Sequence, residues 1–249
     1  MDITYEARYH QLEEQHWWFA GRRHIVFEQI QQLQLPPTAD ILEIGCSGGP
    51  LLLALKAAGY QHLTGIDVSD KAIAVAQARG FEQVMVMDGA RLDFADNSFD
   101  LVVASDVLEH IEDEEAALRE WCRVLRPGGR IIVFVPAYQF LWSRHDEVNH
   151  HFRRYTLAGL RQVMQRTGWQ IERASYWNFL LFFPTAVLRR LQRTLHAAGL
   201  ASAGAGDLRQ LSVPANKALF SLLKAENRWL RKLSFPLGVS TFAVARKPA

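Results

Sequence analysis

Cysteine is scarce: Cys46 and Cys122 are the only two in 249 residues. Two thiols make no disulfide framework, and the expectation is a reducing, cytoplasmic setting. No apolar run reaches the roughly 20 residues needed to cross a bilayer. The nearest, Tyr176 to Leu191, is broken by Asn178, Pro184 and Arg189-Arg190, so at most it touches a membrane surface. The opening Met1-Asp2-Ile3-Thr4 lacks the basic start and apolar core of a secretory leader. No internal repeat is found. Acid is nearly missing from one part of the chain. Residues 1–150 hold 12 Lys/Arg and 23 Asp/Glu, whereas residues 151–249 hold 16 and 3, a split hidden by the net charge of +2. Either the basic part packs on the acidic part, or it offers a face to a phosphorylated substrate or an anionic lipid surface.

What is present reads as one α/β domain. Residues 5–35 form a helical segment stopped by Pro36-Pro37. Short apolar strands follow at Ile41–Gly45, Leu63–Val68, Val84–Met87, Phe99–Ser105 and Arg130–Pro136. Helices alternate with them at Leu51–Ala58, Asp70–Arg79 and Glu112–Val124, the last stopped by Pro127-Gly128-Gly129. Ser69 and Thr156 are placed to cap helices, the second running to Arg166. Strands at Trp169–Tyr176 and Val239–Arg246 flank an insertion of about 60 residues, which holds a Phe-rich segment, a loop near 197–206 and a helix near 215–233. Near-continuous apolar strands imply a parallel sheet covered on both faces.

Three successive strand ends carry acids. The first runs into Glu43-Ile-Gly45-Cys-Ser47-Gly48-Gly49, where glycines let backbone approach a ligand and the next helix offers an electropositive N-terminus. Asp67 ends the second strand, where a carboxylate can accept from ribose hydroxyls. Asp88-Gly89 follows the third, where a carboxylate can accept from an exocyclic amine. Each feature alone is an ordinary turn or cap. Together they point to a ligand beyond the carboxyl ends of the strands.

With Leu42-Glu-Ile-Gly-Cys, Gly65-Ile-Asp-Val-Ser, Met87-Asp-Gly, Asn97-Ser-Phe-Asp-Leu-Val, Val107-Leu-Glu-His and Leu125-Arg-Pro-Gly-Gly in order, the chain resembles the class I S-adenosylmethionine-dependent methyltransferases, with a core like that of the ubiquinone and menaquinone methyltransferases. The flanks, His16-Trp-Trp-Phe, His151-Phe-Arg-Arg-Tyr-Thr and Pro236-Leu-Gly-Val-Ser, resemble a bacterial subgroup of that superfamily. The resemblance implies a Rossmann-like seven-stranded sheet whose last strand is antiparallel. It implies S-adenosylmethionine as methyl donor and S-adenosylhomocysteine as product. It places Glu43 and Gly45 near the methionine part, Asp67 near the ribose, Asp88 near the adenine and Ser105 backbone at the amino acid end, with Ser47, Gly49, Val68 and Gly89 also expected at the cofactor. Ser47 stands where the family usually has glycine, which implies an altered loop. The expected division is a helical lid at 1–36, a cofactor-binding core at 37–136, the rest of the sheet and a substrate loop at 137–177 and 236–249, and a basic helical insertion at 178–235.

Other residues carry open alternatives. Arg22 or Arg23 either clamps the cofactor carboxylate or faces solvent. Trp18 and Phe19, with Trp17, either cover the ligand or pack. Methyl transfer to oxygen needs a base, and His110, His145 and His151 are the candidates, against a loop-bracing role with Asp146 and Glu147. His150, Arg153, Arg154 and Tyr155 either hold an anionic substrate group or pair with the acidic first part. No metal is expected, although Asp106, Glu109 and His110 resemble the acid–acid–His pattern of ubiquinone-type O-methyltransferases. Glu226 interrupts an apolar stripe of Leu219, Leu222, Leu223, Trp229, Leu230 and Leu233, and an arginine partner or a substrate-facing role is expected for it. Phe179 to Phe183 is expected in the core, at a dimer contact, over an apolar substrate or against a membrane. The partners expected are an anionic or partly apolar small molecule and a second copy of the chain, with no nucleic acid. A nicotinamide oxidoreductase, a non-catalytic S-adenosylmethionine-binding scaffold and, from the basic C-terminal region, a nucleic-acid methyltransferase are the competing classes.

Overall fold

The computed structural model describes residues 16–197 and 211–248. The expected helix at 5–15 and most of the loop near 197–206 lie outside the described residues. A seven-stranded sheet has the order β3-β2-β1-β4-β5-β7-β6. Its strands are β1 (Asp40–Ile44), β2 (His62–Asp67), β3 (Val84–Val86), β4 (Phe99–Ser105), β5 (Leu125–Pro136), β6 (Gln170–Trp177) and β7 (Ser240–Arg246). The first five pair in parallel, and β7 runs antiparallel to both β5 and β6. This is the α/β, Rossmann-like fold expected.

The helices are α1 (Trp17–Gln32), α2 (Pro50–Ala57), α3 (Asp70–Ala78), α4 (Glu114–Val124), α5 (Arg144–Val148), α6 (Leu157–Arg166), α7 (Phe182–Ala197) and α8 (Val213–Leu230). The apolar strand runs exist because each strand is buried on both sides. Ile41, Leu101, Val103, Ile132 and Phe134 join one core with α1, α2, α3 and α8. The residues between them, Leu42, Val102, Ala104, Ile131 and Val133, join a second core with α4 and α6. Ser69 and Thr156 cap their helices as expected, accepting from Ala72 N and Gly159 N. The Pro127-Gly128-Gly129 sequence does not simply end a helix. It sits inside β5, where pairing jumps from Phe99–Leu125 to Leu101–Arg130, and Gly128 takes φ +78°.

Two devices bind the insertion to the core. At Gly21 a Cβ would run into Leu223 Cδ1, so glycine is what lets α1 lie against α8. Glu226, fully buried on α8, accepts from Phe179 N and Leu180 N at 3.0 Å each. The expected arginine partner is absent because backbone N–H groups between β6 and α7 fill that role. Burial raises the Glu226 pKa, and the backbone donors oppose the rise. The expected apolar stripe on α8 is only partly inward: Leu223 and Leu230 are buried, but Trp229 and Leu233 are exposed.

Replacing Glu226 by Ala leaves two donors at a helix entrance without partners. We expect Glu226→Ala to lower unfolding stability by about 1–3 kcal/mol per orphaned group, measured by urea denaturation followed by circular dichroism. An unchanged midpoint would show that these bonds hold nothing.

Candidate active site

The sheet order sets the carboxyl ends of β3, β2, β1 and β4 side by side. The loop leaving β1 is stitched to β2, since Gly45 N and Cys46 N both donate to Ile66 O, at 2.8 and 2.9 Å. Gly45 has φ +72°, and a Cβ there would meet Val107 Cγ2 at 2.6 Å, so the turn admits no side chain. Ser47 takes φ +48°, a left-handed conformation that serine enters at some cost. Asp67 holds it there: Oδ2 accepts from Ser47 N and Oδ1 from Ser69 N, each at 2.9 Å. Gly49, at φ +78°, opens α2.

Glu43 is buried beneath this loop and Ser105 is half-buried at the end of β4. Asp88 is exposed, with Oδ1 accepting only the local Ala90 N at 2.9 Å. Gly89 is buried, and its carbonyl accepts from Trp121 Nε1 at 2.7 Å. Val68 is exposed.

Arg22 enters this region from α1 and is buried. Its guanidinium lies 4.7 Å from the Trp177 ring, 5.0 Å from Phe134 and 5.6 Å from Trp18. Nη1 pairs with the Asp106 carboxylate at 2.9 Å, and Nη2 donates to Ser240 Oγ at 2.6 Å. The expected carboxylate clamp is thus engaged with an acid of the chain itself. Asp106 follows Ser105 with φ +58°. Trp18 lies at 5.2 Å on Trp177 as one wall of the arginine's aromatic box, and Phe19 stands edge-on to His16. Sequence reasoning missed the Arg22–Asp106 pair, because 84 residues separate its members.

The histidines converge only in part. The His110 and His151 rings meet edge to face at 4.5 Å, and His145 lies 5.9 Å from His151. His150 is exposed with φ +55°. Asp146, fully buried on α5, binds His151 Nδ1 at 2.9 Å and takes a two-pronged bond from Arg154 at 2.8 and 2.9 Å. Burial alone would raise the Asp146 pKa. The hydrogen bonds from His151 and Arg154 outweigh it and hold the carboxyl well below its usual range. In the neutral tautomer that gives Nδ1–H to Asp146, Nε2 of His151 is an acceptor. Burial, then the neighbouring His151, pushes the His110 pKa down to about 3, so this ring stays neutral.

Glu109 belongs to the same cluster. It is fully buried in the 3-10 turn Leu108–His110, and among the described residues neither carboxylate oxygen has a hydrogen-bond partner. Burial, then the Asp106 charge, raises its pKa well above normal. Atoms of Glu109, His110 and His151 lie within 4.8 Å of one another, close enough to share a metal ion. The acid–acid–His face that Asp106, Glu109 and His110 resemble does not form, because the turn is a single 3-10 turn and Asp106 is drawn to Arg22. His151, from 41 residues further on, completes the cluster instead.

The remaining candidates are bonded within the chain. Arg153 donates to Glu112 O at 2.6 Å and pairs with Glu114 at 3.2 Å, while Tyr155 Oη donates to Glu114 at 2.5 Å. Arg154 is committed to Asp146 and to Ala137 O. The pairing of this basic stretch with the acidic first part is what the structure shows.

The methyltransferase domain family matches residues 42–133. A ubiquinone biosynthesis O-methyltransferase of Aromatoleum aromaticum is 32% identical over 158 residues, 58% of this chain and 62% of that protein. A Mycolicibacterium smegmatis protein named as an S-adenosylmethionine-dependent methyltransferase is 31% identical over 177 residues, 69% of this chain and 66% of the relative. The chain therefore spans just under two thirds of each. Other relatives are named as N-methyltransferases of phosphoethanolamine and as tRNA methyltransferases. Among solved structures, a methyltransferase of Haloferax volcanii in complex with the Trm112 activator superposes with a TM-score of 0.64 at 18% identity, covering 99% of this chain and 95% of that one. Kinship and strand order agree: residues 42–133 match the methyltransferase domain family, and the seven-stranded sheet has the fold of the class I S-adenosylmethionine-dependent methyltransferases.

Proposed function

We propose that the protein moves the methyl group of S-adenosylmethionine onto a small-molecule acceptor, at a hydroxyl oxygen. The observation that carries this reading is the row of strand ends bearing Asp88, Asp67, Glu43 and Ser105, which the fold sets beside one another. Asp67 takes the ribose and the exposed Asp88 the adenine amine. Glu43, with the loop Gly45, Ser47 and Gly49, takes the methionine part. Arg22 acts at that end by fixing Asp106. Residues 37–136 form the cofactor-binding core, with the segments 1–36 and 178–235 shaping the acceptor side.

Transfer is an in-line displacement. The acceptor oxygen bonds to the methyl carbon, the sulfur–carbon bond breaks, and the sulfonium becomes the thioether of S-adenosylhomocysteine. Holding donor and acceptor aligned supplies most of the acceleration. The acceptor proton passes to Nε2 of His151, and Asp146 stabilises the imidazolium that results. Arg154 locks Asp146, so its part is positioning. His145, bonded to Asn149 through its carbonyl at 2.7 Å, is the alternative base.

A second reading is favoured by the partnerless Glu109 carboxylate. Glu109, His110 and His151 fit a divalent cation, with Asp146 orienting His151 from behind. Such an ion would supply Lewis-acid assistance to an oxygen acceptor.

Four experiments test these assignments. Asp88→Ala should weaken S-adenosylhomocysteine binding about tenfold by calorimetry, the size of one lost charged hydrogen bond, with no change in melting temperature. His151→Asn should lower kcat by about 10²-fold or more while donor affinity holds, whereas His145→Asn should stay near wild type. If the two histidine variants behave alike, the base assignment fails. Activity that disappears after dialysis against chelator and returns only with a divalent cation selects the metal reading. Transfer of a labelled methyl group into tRNA but into no small molecule would remove the small-molecule acceptor.

A further inference from the structure

Helix α7 turns apolar side chains to both of its neighbours, protein and solvent. Its inner side is anchored: Phe182 is buried with Leu141 and Val239, and Ala186, Trp18 and Leu237 pack against them. Its outer side is bare. Phe183 is 61% exposed, Val187 68%, Leu188 52% and Leu191 53%. Phe183, Val187 and Leu191 recur every four residues and so form one stripe along the helix. Phe140, on the adjoining 3-10 turn Gln139–Leu141, is 51% exposed and extends this surface.

The charges beside the stripe have one sign. α7 carries Arg189, Arg190 and Arg193 and no Asp or Glu. From residue 178 to 235 the chain holds nine Lys/Arg against two Asp/Glu, and one of those acids, Glu226, is fully buried. A groove of about 410 Å³ lies at the margin, lined by Phe140, Ala186, Val187, Arg190, Arg193 and Thr194. Arg193 is steadied at this margin by donating to Trp142 O at 2.9 Å. Among the described residues no helix is long and apolar enough to cross a membrane.

We propose that α7 and Phe140 dock the domain on an anionic lipid surface, lying in the plane of the interface. Phe183, Val187 and Leu191 enter the acyl boundary, and Arg190 and Arg193 meet lipid phosphates. A helix with an apolar stripe flanked by arginines has the composition of an interfacial helix. Charge selects lipid over a second copy of the chain: two copies brought together at this face would oppose arginine to arginine, whereas an anionic leaflet attracts each of them. Phe140 follows the carboxyl end of β5, so docking here brings the ligand-binding edge of the sheet towards the membrane. The proposal does not depend on methyl transfer.

Flotation of the full chain with vesicles tests it, using phosphatidylcholine alone and phosphatidylcholine with about 30% phosphatidylglycerol. The expected result is binding to the anionic vesicles only, weakened as salt rises from about 0.1 M to about 0.5 M. Leu191→Glu and Arg190→Glu should each weaken binding roughly tenfold or more. Both should leave S-adenosylhomocysteine affinity and melting temperature unchanged, which separates loss of docking from loss of fold. No binding of the wild-type chain to anionic vesicles overturns the proposal. So does a dimer in sedimentation that Leu191→Glu dissociates without any vesicle binding, because the stripe would then join two copies.

Discussion

The parallel register of β1 between β2 and β4 is the constraint on which the active site rests. Glu43 is paired with Gly65 on one side and with Val103 on the other, so three strands end at nearly one level. Gly45 and Cys46 then spend their N–H groups on Ile66 O, and the loop is bound to the neighbouring strand before any ligand arrives. Asp67 closes the arrangement by accepting from Ser47 N and Ser69 N. A slip of one residue would send every side chain of β1 to the opposite face and dismantle both cores together. Binding geometry and stability are therefore the same set of hydrogen bonds.

Buried charge is gathered beyond the carboxyl ends of β4 and β5. Arg22 and Asp106, and Asp146 with Arg154 and His151, are ionic groups taken out of water. Desolvation on that scale is tolerated only where partners are close and well aligned. Asp146 satisfies this with donors from three residues, His151, Arg154 and Ser143. Glu109 has no such partner among the described residues, and burial, then the Asp106 charge, raises its pKa. The contrast between two buried acids so near each other is the electrostatic signature of this region.

The insertion between β6 and β7 is built differently. Its inner contacts are specific, with Gly21 fitted against Leu223 and Glu226 gripping the backbone ahead of α7. Its outer surface is apolar and basic at once. Two faces are separated on one helix pair: the inner side fixes the helices to the sheet, and the outer side of α7 exposes Phe183, Val187, Leu188 and Leu191.

The amino-acid sequence by itself determined the sheet, the loop after β1 and the strand-end acids. Those features are local, written in apolar runs a few residues long and in Gly45, Asp67 and Asp88 at their ends. Family kinship was legible for the same reason, because the motifs from Leu42 to Gly129 lie in one continuous stretch. Sequence also exposed the histidines and arginines of residues 145–154 as candidates, but not their partners. Which of them face each other was decided only in the tertiary structure. Arg22 reaches Asp106 across 84 residues, and His151 reaches His110 because α5 and the turn after β4 fold onto one edge. The outward stripe of α7 was hidden too, since an apolar residue in a sequence looks the same whether it meets the core or the solvent. Pattern fixes what a segment is, whereas long-range packing fixes what each side chain touches, and the second cannot be read from spacing along the chain.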